Sequence, residues 1–189
     1  MKNHPELSFK WLKRHITEQD IHYEMLKIYK SAIQCLGHDQ RRELLRIVPN
    51  NTWRHEIVNY LVGDSLELYQ FLLRDNDKKG IHLLPLYGFE RDTIREENWE
   101  EMSWIGKAMV ALDAGYTAEE IEEAIFSPMW SWSGNESEFW RRWIGNYEKL
   151  LSHHDPRIRE IGEIGKKKAS RELDRSLKEE RREAIYGYD

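Results

Sequence analysis

The sequence predicts an all-α protein of about eight helices. Apolar residues recur at spacings of three and four along most of the chain, which is the period of an amphipathic helix. No segment alternates with the period of two that marks a half-buried strand. Helix-starting Thr, Asp and Asn and helix-ending Gly and Pro separate the helical segments. The 189 residues include 8 Trp, 9 Tyr and 5 Phe, and so many aromatic side chains exclude a disordered chain.

Residues 1–75 predict an N-terminal half of five helices, the first of them beginning near Pro5. The apolar side of this first helix is expected to hold three residues: Leu7, Trp11 and Ile16. The second helix begins at Thr17 and ends before Gly37. Three short helices follow, and each begins at a good capping residue: Asp39, Thr52 and Asp64. Because the turns between them are very short, the helices are expected to pack in antiparallel pairs.

The predicted boundary between the two halves is an apolar linker loop at residues 76–95. Its turn-forming sequence NDKKG is followed by Pro85 and Gly88, which interrupt any helix. The C-terminal half is then residues 96–189. A single continuous domain is the alternative organisation, since an apolar loop must pack on something.

The C-terminal half predicts four helices. The first ends at Gly115, and the second begins with a capping box formed by Thr117 and Glu120. The second helix also carries acidic residues that would repel DNA, which argues against a helix-turn-helix reader at this turn: Glu119, Glu120, Glu122 and Glu123. Asn135 can cap the third helix. The fourth is long and continues to about Ile185.

The last helix begins at Asp155-Pro156-Arg157-Ile158-Arg159, which resembles the Asp-Pro-x-Val-Arg start of the second helix in a HEAT repeat. The resemblance covers about residues 136–185 and implies stacked helix pairs that serve as a scaffold for partners, with the Asp and Arg tying adjacent pairs together. The inner face of this helix is rich in small residues near Gly165, which allows a neighbouring helix to approach closely. The predicted architecture is therefore a HEAT-like α-solenoid or, alternatively, an irregular helical bundle in which Asp155 is an ordinary helix cap.

An uncharged loop near residue 130 carries an unusual density of tryptophan. Three tryptophans flank it and two arginines follow, so the predicted partner-binding residues are Trp130, Trp132, Trp140, Arg141 and Arg142. Exposed Trp and Arg are typical of binding hot spots. The alternative is that the aromatic rings pin the loop into the core, and Trp143 in particular is expected to be buried.

A stripe of basic residues runs along the last helix at helical spacing: Lys167, Arg171, Arg175 and Lys178. We call these four residues the basic stripe. Such a face can contact phosphates, which makes a nucleic-acid-associated module an alternative function. Acidic residues interleave, however, and the net charge is −5, so we expect a solvated face with i,i+4 pairs such as Glu163–Lys167 and Asp174–Lys178.

Signals for catalysis are weak. The sequence lacks a phosphate-binding loop, a dinucleotide-binding glycine motif, a zinc-protease motif and a nucleophile elbow. His153 and His154 are expected to point apart and Asp155 to cap a helix, so we predict no metal and no cofactor. The single Cys35 and the lack of a long apolar run indicate a cytoplasmic protein with no membrane contact. The predicted function is a non-catalytic adaptor or inhibitor that binds another protein, while an enzyme with a site built from scattered residues is a third possibility.

Overall fold

The structure, a computed structural model, describes residues 4–17, 23–48, 54–75, 103–125 and 135–186. Nine helices make up most of these described residues and no strand occurs among them, which confirms the predicted all-α class. The helices are α1 (Pro5–His15), α2 (Tyr23–Ile33), α3 (His38–Ile47), α4 (Arg54–Val62), α5 (Leu66–Asp75), α6 (Ser103–Asp113), α7 (Ala118–Ile125), α8 (Glu136–Leu150) and α9 (Pro156–Tyr186).

The chain divides into two compact units, Met1–Leu84 and Pro85–Asp189. We call them unit 1, which contains α1 to α5, and unit 2, which contains α6 to α9. The predicted linker loop at residues 76–95 lies outside the described residues.

Unit 1 forms because each of its helices buries one apolar side against its neighbours. α1 packs on α2 and α3, α4 packs on α2 and α3, and α5 packs on α3 and α4. The side chains that are completely buried include Leu12, Tyr29 and Leu44, and the Tyr29 hydroxyl donates a 2.9 Å hydrogen bond to the backbone oxygen of His15. The expectation that Leu7 lies on the inner side of α1 is wrong, because Leu7 is 59% exposed while Leu12 fills the interface instead.

Arg41 of α3 connects the C-terminal ends of two neighbouring helices. Its Nη2 donates to the oxygen of Ile33 at 3.2 Å, its Nε to that of Leu36 at 3.2 Å, and its Nη1 to that of Leu61 at 3.4 Å. Carbonyl groups at a helix C-terminus lack partners within the helix and carry partial negative charge, so a guanidinium group stabilises them. Burial lowers the pKa of Arg41, and the carbonyl contacts replace the lost hydration.

Replacing Arg41 with methionine is expected to destabilise unit 1 by about 2 kcal/mol, since three carbonyl groups lose a charged donor. Native-state hydrogen exchange of the α2 and α4 amides in the full chain measures this loss directly. The matched control is Arg74→Met, because Arg74 of α5 is exposed and makes no ion pair within the described part of the chain. Equal protection of α2 and α4 in the two variants would show that the Arg41 contacts contribute nothing.

Unit 2 is built around the pairing of α8 with α9. The two helices run antiparallel, since Glu136 pairs with Arg175 at 3.7 Å and Glu148 pairs with Lys166 at 2.8 Å. α7 packs against α9, and α6 packs against α7 and α9. One side of α8 carries four buried aromatic residues whose neighbouring ring centroids lie 5.0 to 5.8 Å apart, which we call the aromatic row: Phe139, Trp140, Trp143 and Tyr147.

Two glycines on α9 allow this close packing against α8. A β-carbon added at Gly165 would lie 1.9 Å from Cε1 of Tyr147, and one added at Gly162 would lie 2.9 Å from Cβ of Leu150. Neither distance is possible between real atoms, so any larger residue would force the helices apart. The small residues near Gly165 therefore serve the close approach that the sequence predicts.

The predicted caps of unit 2 form as expected. The Thr117 hydroxyl accepts from the amide of Glu120 at 3.1 Å, and the Thr117 amide donates back to Oε2 of Glu120 at 2.9 Å. Asn135 Oδ1 accepts from the amide of Ser137 at 3.0 Å at the start of α8. Glu180 from α9 accepts from the same amide at 3.2 Å, so the distal part of α9 is fixed to the beginning of α8 as far as Glu180.

Candidate interaction surface

The predicted partner-binding residues do not share one environment. Trp140 is 4% exposed and its Nε1 donates a 3.2 Å hydrogen bond to Oε1 of Glu136, so it belongs to the core of unit 2 rather than to an exposed surface. The reason is helical geometry, because Trp140 lies on the same side of α8 as Trp143 and Tyr147. Trp143 is buried, as predicted. Trp130 and Trp132 lie outside the described residues.

Arg141 and Arg142 are the described members of the predicted surface that face solvent. Both side chains are exposed on α8, and neither makes an ion pair with any residue that the structure describes. Since the opposite side of α8 is the buried aromatic row, the helix backbone that carries these two arginines is held in place.

The basic stripe of α9 is divided by its own ion pairs. Arg175 lies 2.7 Å from Glu172, 3.7 Å from Glu136 and 4.0 Å from Glu179, so carboxylates on two helices compensate its charge. The other three members are exposed and make no ion pair within the described residues: Lys167, Arg171 and Lys178.

The i,i+4 pairs predicted along the basic stripe, Glu163–Lys167 and Asp174–Lys178, are absent from the ion pairs of α9. Exposed pairs of this kind gain only about 0.3–0.5 kcal/mol, which is comparable with the entropy lost in fixing two long side chains. The basic stripe is therefore solvated, and at three of its four positions no described carboxylate compensates the positive charge.

A buried carboxylate joins three helices of unit 2, which are α7, α8 and α9. Glu122 of α7 is completely buried, and it accepts a 3.1 Å hydrogen bond from the Tyr147 hydroxyl of α8 and another from Nζ of Lys168 of α9. Burial and the adjacent Glu122 carboxylate raise the pKa of Tyr147 well above its ordinary value, so this phenol stays a hydrogen-bond donor. The Lys168 side chain is 38% exposed, so the ion pair extends from the core to the surface of unit 2.

Glu122, one of the four acidic residues expected to repel DNA, is therefore buried inside unit 2. The signal that identifies its burial is its position four residues after Ala118 and three before Ile125, which places it on the inner side of α7. A carboxylate at such a position needs a cation from another helix, and Lys168 supplies it.

The turn between α8 and α9 contains the residues that resemble a HEAT repeat. Asp155 caps α9, since its Oδ1 accepts from the amide of Arg157 at 2.8 Å. Arg157 binds Asp155 through Nη2 at 2.8 Å and reaches Asp113, the last residue of α6, through Nη1 at 2.7 Å. Arg159 donates to the backbone oxygens of His153 at 2.8 Å and His154 at 2.9 Å, which fixes the turn from its other side.

The two histidines of this turn do not point apart as predicted. Their rings stack with centroids 4.2 Å apart, and the buried His153 accepts the amide proton of Asp155 at Nδ1 over 3.0 Å. Asp155 has the capping role expected of it. Among the described residues, no group of three His, Cys, Asp or Glu side chains is arranged to hold a metal ion.

The hydrogen bond from Arg157 lowers the pKa of Asp155 from 3.8 to about 2. Because this pKa is lower in the folded state, the stabilisation is fully present above about pH 4 and is lost as the pH falls through 2. Asp155→Asn keeps a capping side chain but removes the charge, and we expect a loss of about 1 kcal/mol near pH 7, a small value because Arg157 is 41% exposed.

Thermal unfolding of the Asp155→Asn variant at a series of pH values measures this effect, and the loss should shrink as the pH falls below 4 and vanish only below pH 2. Asp174→Asn is the matched control, since Asp174 is an exposed carboxylate of α9 with no ion pair among the described residues. A loss in Asp155→Asn that is independent of pH would contradict the ion-pair explanation.

No helix in the described ranges has both the length and the apolar character needed to cross a lipid bilayer. Comparison of the chain with protein-family models, with curated proteins and with solved structures found no match.

Proposed function

We propose that this chain is a non-catalytic helical module that binds another protein and so inhibits, recruits or assembles it. The observation that supports the proposal is the pair Arg141 and Arg142, two adjacent exposed guanidinium groups that no described carboxylate engages. Arginine is enriched in protein–protein interfaces because its planar group binds carboxylates through two hydrogen bonds. The rigid α8 presents both groups without the cost of ordering a loop.

We further propose that unit 2 is a HEAT-like stack of two helix pairs, α6 with α7 and α8 with α9. The bond from Arg157 to Asp113 supports this proposal, because it ties the start of α9 to the end of α6, as the Asp and Arg of adjacent HEAT repeats do. The packing of α7 against α9 agrees with two pairs lying side by side. A cytoplasmic location is part of the proposal, since the single Cys35 cannot form an intramolecular disulfide.

Affinity capture from the native host, followed by mass spectrometry, tests the proposal with three forms of the full chain. The wild type and the Lys167→Glu/Arg171→Glu control should retain the same partner protein, and Arg141→Glu/Arg142→Glu should lose it. All three forms should have the same melting temperature, since the four side chains are exposed. If the wild type specifically retains no protein, the proposed function is wrong.

A nucleic-acid-associated module is the second candidate. Lys167, Arg171 and Lys178 favour it, because they are exposed and make no ion pair with any described residue. It predicts that binding to single-stranded or double-stranded DNA or RNA weakens steeply with salt and is lost in Lys167→Glu/Arg171→Glu. The compensation of Arg175 by three carboxylates counts against this candidate. Lack of binding at low salt would eliminate it.

A further inference from the structure

We infer that the outer face of α8 around Gly145 is a docking groove for an acidic helix of a partner protein. This inference rests on the proposed function and names both the surface and the chemistry of the partner. The groove consists of Gly145 and the two residues one turn before it, Arg141 and Arg142.

Gly145 has no role that the described residues explain. A β-carbon added there would meet no described atom within 4 Å, in contrast to Gly162 and Gly165, where an added β-carbon collides with α8. Nor does the backbone require glycine, since the positive φ angles among described glycines belong to Gly63 and Gly115. A glycine inside a helix destabilises it relative to alanine, so the chain gives up helix stability at this position without an internal gain.

Gly145 is half-buried on the outer side of α8, and its missing side chain lets another backbone approach closely. The distance between two packed helices is set by the side chains at their contact, and it is shortest where one of them is small. Residues three and four positions from Gly145 border the gap on the same face, and these are Arg141 and Arg142 on one side and Glu148 and Lys149 on the other.

The charges around the gap favour an acidic occupant. Arg141 and Arg142 have no carboxylate partner in the described part of the chain, whereas Glu148 is paired with Lys166 at 2.8 Å. Glu138 is an exposed acid on the same face, but it lies two turns from Gly145, in the first turn of α8. A partner helix crossing at Gly145 would therefore place Asp or Glu against the two free guanidinium groups, where bidentate bonds can form.

The decisive variants are Gly145→Ala, which tests helix stability, and Gly145→Leu, which tests binding. A side chain at this position should raise the stability of the helix and lower its affinity for the partner. Alanine should raise the melting temperature by about 2–4 °C, as helix propensity improves and no atom is displaced. Leucine fills the groove, and it should weaken binding about tenfold without unfolding the protein. A residue with only a structural role would not produce this opposition.

The binding probe is a capped, fluorescently labelled helical peptide of Glu and Ala, with a peptide of Lys and Ala as the charge control. Fluorescence anisotropy at low salt should show weaker binding of the acidic peptide to Gly145→Leu and to Arg141→Glu/Arg142→Glu, and unchanged binding to Lys167→Glu/Arg171→Glu. Wild-type affinity of Gly145→Leu, or an equal effect of the control, would overturn the inference.

Photo-crosslinking in the native host separates this inference from the proposed function. A photoreactive phenylalanine in place of Glu138 should crosslink to an acidic segment of a different protein. Crosslinking to nucleic acid or to a second copy of this chain overturns the acidic-helix groove. A partner that binds Gly145→Leu as strongly as wild type preserves the proposed function and overturns the groove, whereas capture of no protein overturns both.

Discussion

Gly165→Ala is expected to destabilise unit 2 by about 3 kcal/mol, because the added methyl group collides with a buried aromatic ring. The new β-carbon would lie 1.9 Å from Cε1, 2.2 Å from Cζ and 2.4 Å from Cδ1 of Tyr147. The ring cannot move aside, because Tyr147 is completely buried and its hydroxyl is bonded to Glu122. The two helices must therefore separate, and the aromatic row loses contacts along its length.

Urea denaturation of the full chain, followed by circular dichroism, measures this loss. Gly145→Ala is the matched control, since it adds the same methyl group to the other helix of the pair, where no atom of the described residues lies within 4 Å. The control should be as stable as the wild type or up to about 1 kcal/mol more stable. Similar stabilities of the two variants would show that α8 and α9 are not packed as closely as described.

Glu122→Ala is expected to cost about 3–4 kcal/mol, because it leaves the Tyr147 hydroxyl and the Lys168 ammonium group without their shared acceptor and opens a cavity between three helices. Glu122→Gln keeps an acceptor for Tyr147 and loses only the ion pair with the half-exposed Lys168, so its cost should be about 1 kcal/mol.

The double variant Glu122→Leu/Lys168→Met separates packing from charge at this site. Replacing a buried ion pair by apolar residues of similar size is often neutral, so this variant should recover most of the stability that Glu122→Ala loses. Thermal unfolding of the three variants gives the comparison. If Glu122→Ala is as stable as Glu122→Gln, the carboxylate is hydrated and the buried contact to Tyr147 is absent.

The caps predicted at Asp39 and Asp64 in unit 1 are wrong, because Gly37 precedes α3 and the Ser65 hydroxyl accepts from the amide of Leu68 at the start of α5.

The helices and the caps of unit 2 could be predicted from the sequence because their causes are local. The capping box of Thr117 and Glu120 depends on residues three apart, and it forms as predicted. The close approach at Gly165 is also visible in sequence, since small residues at helical spacing mark a contact before the partner is known.

The burial of particular side chains depends on distant parts of the chain, and here the sequence was less informative. Glu122 looks exposed beside its acidic neighbours until Lys168, which lies on another helix, supplies its cation. Trp140 looks exposed because it follows an uncharged loop, yet its place on the inner side of α8 brings it into the core. Of the predicted partner-binding surface, the sequence allows one feature to be predicted from helical geometry. Arg141 and Arg142 are exposed because they lie opposite the aromatic row.

The short turn between α8 and α9 has a consequence for the order in which unit 2 folds. The hairpin can close from its turn, where Leu150 contacts Gly162 only a short distance along the chain, so closing it costs little entropy. Docking α7 onto α9 closes a longer loop, since Glu122 and Lys168 lie 46 residues apart. We therefore expect the hairpin to be largely formed in the folding transition state and α7 to dock later. Leu150→Ala should then slow refolding, whereas Ile121→Ala should mainly accelerate unfolding. On this expectation, Glu122 becomes buried only after unit 2 has passed its folding transition state.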